Sequence, residues 1–217
     1  MTALEEGLVH VPIGSNTLAG NLLVPQNATG LVLFAHGSGS SRFSTRNRRV
    51  AAFLREGSLG TLLIDLLTPD EERIDERTAH LRFDINMLAG RLVGAMEWIS
   101  ENPATTKLPI GLFGASTGGG AALVAAARRP DRVAAVVSRG GRPDLAADAL
   151  PLVKAPTLLI VGGDDGAVIG MNRDAFDRMN AVRKLEIIPG ASHLFEEPGT
   201  LERVAELARE WFQTHLR

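Results

Sequence analysis

The chain is 217 residues long, enough for one domain with a sizeable buried core. Its hydrophobic fraction of 45% is ordinary for a water-soluble globular protein, and a formal net charge of −2 gives no electrostatic reason to expect nucleic acid as a partner. Cysteine is absent, which excludes disulfides, thiolate nucleophiles and cysteine-based zinc sites and fits a reducing compartment.

The opening residues, MTALEEGLVHV, lack the basic stretch and apolar run of a signal peptide. No apolar run approaches membrane-spanning length, so a cytoplasmic protein without a membrane partner is expected. Strands are predicted near 8–13 and 18–24, separated by GSNT as in a hairpin. From residue 31 the pattern alternates strand with helix. Further strands are expected near 31–36, 60–66, 108–113, 133–138, 156–162 and 185–189. Helices are expected near 45–57, 78–101, 117–129, 169–181 and 197–215, with a short one near 144–151. RFSTRNRR (42–49) reads as a solvated helix start, and TPDEERIDERTAH (68–80) as a charged stretch rather than an apolar lid.

The runs LVLFAH, TLLID and TLLIVGG are apolar on both faces, the mark of parallel strands covered by helices. The terminal helix repeats Leu201, Val204, Leu207, Ala208, Trp211 and Phe212 at three- and four-residue intervals, one face for a core. The fold class is α/β: a single domain over residues 1–217, built on a doubly wound, mostly parallel sheet. In such sheets ligands bind beyond the carboxyl ends of the strands, so reactive residues just past strand ends are the candidates.

Four stretches qualify. GASTG (114–118) matches G-x-S-x-G between a strand and a small-residue helix, the context in which Ser116 is presented as a nucleophile on a tight turn. Side chains at Gly114 and Gly118 would collide in that turn. FAHGSGSSR (34–42) is a glycine-rich loop whose backbone N–H groups can face an oxyanion: Ser38 is the first choice and Gly39 the second, with the Thr117 N–H as the other donor. His36, ahead of the turn, is assigned to holding the loop. LLIVGGDDGAV (158–168) places two acids after a strand. Asp165, deeper in the turn before Val168, is preferred over Asp164 as the partner of a histidine, against the alternative that either acid caps the next helix. IIPGASHLFEEPG (187–199) then supplies His193, completing the order Ser116, Asp165, His193.

With HGSGSS, GASTGG, GGDDGAV and PGASHLFEEPG in place, the sequence resembles the α/β-hydrolase superfamily and, within it, the dienelactone-hydrolase-like branch, from about residue 18 to the end. That resemblance implies an eight-stranded, mostly parallel sheet, a catalytic triad and no cofactor. Dienelactone hydrolases proper use a cysteine nucleophile, and this chain has Ser116. The expected activity is therefore that of a serine carboxylesterase on a small-molecule ester, with lactones or acidic esters within its scope, and neither metal nor large cap domain. The protein is expected to be a monomer or homodimer. Similar sequences also occur fused to phosphoribosyltransferase-like domains.

Arg139 and Arg142 follow the sixth strand near the expected site and Arg42 follows the glycine-rich loop, and one of them is a candidate for binding a substrate carboxylate; pairing with a local acid is the competing role for each. Acyl transfer to another acceptor uses the same residues, and a non-catalytic ligand-binding hydrolase fold is the alternative from another class. A dinucleotide site is the weakest reading, because the third glycine of G-x-G-x-x-G is Arg42.

Overall fold

The computed structural model describes residues 6–216. They form an eight-stranded sheet in the order β1-β2-β4-β3-β5-β6-β7-β8, with helices on both faces. β1 (Gly7–Ile13) and β2 (Asn16–Leu23) make the antiparallel hairpin, and β2 also runs antiparallel to β4 (Leu59–Ile64). The remaining strands are parallel: β3 (Gly30–Ala35), β4, β5 (Ile110–Ala115), β6 (Val133–Arg139), β7 (Thr157–Gly162) and β8 (Arg183–Ile188). The chain leaves β3 toward β4 on one side and later returns to its other side as β5. The topological switch therefore lies beyond the carboxyl ends of β3 and β5.

Every residue of β3, β4, β5 and β7 is buried, as the two-faced apolar runs require. On one face Val32, Phe34, Leu63, Phe113, Val137 and Ile160 pack against α1 (Thr45–Glu56) and α6 (Thr200–His215). Phe34 and Phe113 meet there with ring centroids 4.9 Å apart. α6 inserts Val204, Ala208 and Phe212, and a fully buried aromatic of this kind contributes roughly 1.5–3 kcal/mol. On the other face Leu31, Leu33, Leu62 and Leu112 pack against α3 (Ile85–Glu101) and α4 (Thr117–Arg128), and α5 (Gly166–Arg178) covers β7 and β8.

The helix expected over 78–101 starts only at Ile85, as α3, and the charged stretch before it forms a helix that was not expected: α2 spans Pro69–Thr78, with a short 3-10 turn at Leu81–Phe83 between the two. The cause is local and polar. Thr68 and Glu71 form a reciprocal capping box with Pro69 at the first helical position, so a helix starts early. The buried carboxylate of Asp75 then accepts the backbone N–H groups of Leu81 and Arg82 and the Arg82 side chain, which ends α2. Asp84 caps α3 through the Met87 N–H. Between β6 and β7, Pro143–Leu152 is short 3-10 structure kinked at Ala147 and packed on α4 and α5.

Two devices hold the switch point together. At the β5–α4 corner, a Cβ on Gly118 would lie 2.3 Å from the Ala35 carbonyl oxygen and 2.5 Å from that of His36, and one on Gly114 would lie 2.5 Å from the Gly118 oxygen. Backbone is pressed on backbone, and only glycine permits it. His36 is the second device: its Nδ1–H donates to the Gly37 carbonyl at 2.9 Å, leaving Nε2 as an acceptor for the Leu66 N–H at 3.0 Å. The ring ties the end of β3 to the residues following β4 as a neutral imidazole.

Gly118→Ala is expected to lose about 3 kcal/mol of unfolding free energy, the upper end of what overpacking costs, because a carbonyl cannot yield as a flexible side chain would. Gly170→Ala, within α5 and with no atom close to where its methyl would lie, is expected to gain roughly 0.5–1 kcal/mol. Urea unfolding of both variants checks the pair. Burial pushes His36 below its ordinary 6.5, against the opposing pull of its Gly37 hydrogen bond and the Asp65 carboxylate. The unfolded chain therefore takes up this proton first as pH falls, and the stability from neutral His36 is complete above 6.5 and declines below it. His36→Gln is expected to flatten the fall in stability measured from about pH 7 to about pH 5.

Candidate active site

Ser116 sits between β5 and α4 with φ 52° and ψ −122°, a conformation sparsely populated by non-glycine residues. The surrounding main chain enforces it. The Ser116 N–H donates to the Arg139 carbonyl at 3.2 Å, while the Ser116 carbonyl accepts from the Gly119 and Arg142 N–H groups at 2.9 and 3.0 Å. The hydroxyl is half-buried at the amino end of α4, where unpaired N–H groups favour negative charge.

Asp165 stands at the N-cap position of α5 yet makes no side-chain cap bond. Its carboxylate turns away from the helix and meets His193 Nδ1 at 2.6 Å. Asp164 is exposed and takes no part in this contact. The His193 loop is fastened to the end of β7: a Cβ on Gly162 would lie 2.3 Å from the Ala191 oxygen, and the Asp164 N–H donates to that same carbonyl at 3.0 Å. The Asp165 bond occupies Nδ1 and leaves His193 Nε2 for other partners. His193 and Ser116 line one cavity of about 230 Å³ without a direct hydrogen bond between them. Bonds of this kind commonly tighten only when substrate is bound.

The loop after β3 lies along the same cavity. Ser38 lines it, and the Ser38 N–H donates to Thr117 Oγ1 at 2.9 Å. The two residues expected to supply oxyanion donors are thus adjacent, with one of the donors engaged by the side chain of the other. Gly39, at φ +66°, faces instead a smaller recess toward α2, beside Asp75 and Arg82.

The arginines divide sharply. Arg42 is not in the cavity: its backbone N–H and guanidinium both bind Asp65, and its Nε reaches Asn21. Of the two roles open to Arg42 in the sequence, the structure shows the pairing with a local acid, Asp65 after β4, and not a place in the cavity. Arg142 pairs with Asp144 through two nitrogens, at 2.8 and 2.7 Å. Arg139 lines the cavity.

Three residues near the site escaped sequence reasoning. Arg46 and Asn47, in the stretch expected to be solvated, line the cavity, and Asn47 is buried. Their helix start is aimed at the strand ends, which periodicity alone does not reveal. Glu197 accepts the Ser192 N–H at 3.0 Å, bracing the loop before His193, and hydrogen bonding from the Ser192 side chain first, then from that N–H, holds its carboxyl below the usual range. A histidine followed at four residues by an acid was the only signal.

No helix among the described residues is long and apolar enough to cross a membrane. The dienelactone hydrolase family model matches residues 52–216. The crystal structure of dienelactone hydrolase from Anabaena variabilis ATCC 29413 is 64% identical, with a TM-score of 0.97 and coverage of 99% of each chain. Est1E from Butyrivibrio proteoclasticus has the same fold at 18% identity, with a TM-score of 0.80 over 96% of this chain and 98% of that one. Two curated relatives from Mycobacterium tuberculosis strains, provisionally named phosphoribosyl transferases, are 55% identical over 98% of this chain. The chain spans about half, 47%, of their length. The sheet order, the covered family model and the identity to the Anabaena structure together carry one conclusion: this chain has an α/β-hydrolase fold and belongs to the dienelactone hydrolase family.

Proposed function

We propose that this chain is a serine hydrolase that cleaves small carboxylic esters through an acyl-enzyme. The observation that carries the reading is the Asp165 carboxylate, which leaves its helix uncapped to bind His193 Nδ1 beside Ser116. An acid that forgoes a cap worth about 1 kcal/mol for an imidazole at a strand end is placed to orient a base.

In the proposed reaction Ser116 Oγ attacks the ester carbonyl carbon while His193 Nε2 takes the hydroxyl proton. Asp165 keeps the ring in the tautomer that makes this transfer possible and stabilises the imidazolium. The N–H groups of Thr117 and Ser38 take the developing oxyanion, each worth on the order of 3 kcal/mol of barrier. For Ser38 this means exchanging the neutral Thr117 hydroxyl for a charged acceptor, a stronger bond. His193 then returns the proton to the departing alkoxide, activates a water against the acyl carbon, and Ser116 is regenerated with release of the acid.

A cavity of about 230 Å³ suits a small substrate, below the roughly 300–1,000 Å³ of pockets for drug-sized ligands. The Pro143–Leu152 segment, where a cap would insert, packs on α4 and α5 instead.

Ser116→Ala is expected to lower kcat on p-nitrophenyl acetate by at least about 1,000-fold and to abolish labelling by a fluorophosphonate. Full activity in this variant would overturn the assignment. Asp165→Asn is expected to lower kcat by about 10,000-fold, whereas Asp164→Asn stays within about twofold of the parent. Equal losses in both would show that the two acids have been assigned wrongly.

A further inference from the structure

The Ser116 peptide is gripped from both sides by one short segment. Its N–H donates to the Arg139 carbonyl at 3.2 Å, and its carbonyl accepts from the Arg142 N–H at 3.0 Å. Gly140 and Gly141 lie between those anchors. Gly140, at φ +50°, runs along the imidazole: a Cβ there would lie 3.3 Å from the His193 carbonyl oxygen and 3.5 Å from the ring atoms Cε1 and Nδ1. Gly141 lies against the first turn of α4, where a Cβ on Gly119 would come within 3.0 Å of its Cα. The segment thus touches the proposed nucleophile and the proposed base at once, and a shift in it would move one relative to the other.

Two consecutive glycines do not hold a position by themselves. The Gly140 N–H is tied to β7 through the Ile160 carbonyl at 2.7 Å. The hold on Gly141 is a side chain. Asn172, within α5 and 0% exposed, donates through Nδ2 to the Gly141 carbonyl at 3.1 Å and to the Val168 carbonyl at 2.8 Å. Val168 is one turn earlier on the same helix, so the second bond fixes the rotamer and aims the first. Asp165, which binds His193 Nδ1, caps the start of this helix, and Asn172 follows it by nearly two turns. One helix therefore carries both the acid on the imidazole and the amide behind the glycines that flank it.

The residue type fits placement better than stability. A carboxamide of this length offers two N–H donors to two carbonyls. Its Oδ1, however, is buried without a partner, which offsets much of what the two bonds contribute. We propose that Asn172 is a positioning residue for the reaction: by holding the Gly141 carbonyl it keeps the Arg139–Arg142 segment against both Ser116 and His193, and so sets their alignment. The proposal rests on Ser116 as nucleophile and His193 as base. A displacement of about 1 Å between such groups can cost about 100-fold in rate.

The test is Asn172→Leu, which keeps the volume and removes the donors, assayed on p-nitrophenyl acetate well below its melting temperature. Active sites are counted by the final stoichiometry of fluorophosphonate labelling. The variant is expected to label fully but more slowly, and its kcat per labelled site to fall by about 10- to 100-fold. KM is expected to stay within about twofold, because His193 serves acylation and deacylation alike and both slow together. In a His193→Ala background the same substitution is expected to change the residual rate by less than about twofold, since the base whose alignment it sets is gone. A parental kcat per labelled site, with only the melting temperature lowered, would make Asn172 structural and overturn the proposal. So would a rise in KM alone, or an equal fractional loss in both backgrounds. If Asn172→Leu fails to fold, Asn172→Ala takes its place with the same expectations; failure of both would assign Asn172 to folding, and the proposal falls. Loss of activity in Ser116→Ala beside parental kinetics in Asn172→Leu removes this proposal alone, whereas full activity in Ser116→Ala removes the hydrolase reading and this proposal with it.

Discussion

The site depends on the contact of Gly118 with the carbonyl oxygens of Ala35 and His36. The lack of a methyl at that position lets the start of α4 lie directly on the end of β3. The Ser116 turn and the glycine-rich loop then share a wall, and the Ser38 N–H comes within hydrogen-bonding distance of the Thr117 side chain. The same device recurs at Gly162, where the end of β7 is pressed against the Ala191 carbonyl and the Asp165 and His193 loops are brought together. Two backbone contacts thus gather four strand ends into one cavity, and the positive φ of Ser116 is sustained by hydrogen bonds on both sides of it.

Around this frame several polar groups are fully engaged: His36 at both ring nitrogens, Asp75 by two backbone N–H groups and Arg82, Arg42 by Asp65. In the cavity lining Arg139 and Asn47 retain buried atoms without partners, and beside it Asp165 leaves α5 uncapped to bind His193. The low-dielectric interior makes each unsatisfied group costly, and the same desolvation strengthens whatever it binds.

Much of this was legible in the chain. β3, β4, β5 and β7 follow from their apolar runs, because a strand buried on both faces has little room for a polar side chain, and β1 and β2 from two short apolar stretches joined by a turn. The Gly114 and Gly118 clearances follow from the motif. α2 was present as Thr68-Pro69-Asp70-Glu71, a capping signal obscured by the acidic residues around it, while the break before α3 depends on Asp75 reaching Leu81 and Arg82, a contact no periodicity encodes.

The sequence by itself determined the succession of strands, the strand ends that carry Ser116, Asp165 and His193, and the small residues that let those ends approach; each is a local property of a few consecutive side chains. The tertiary structure alone decided between equivalent neighbours. Asp165 and Asp164 are the same residue type one step apart, and only the orientation of the α5 start turns one toward the imidazole. Arg42, Arg139 and Arg142 all follow or end strands, and only the folded chain supplies acids to two of them and none to the third. Charge pairing acts between residues distant in sequence and weakens with distance in space, so which guanidinium is left facing the cavity is settled only when the strand ends meet.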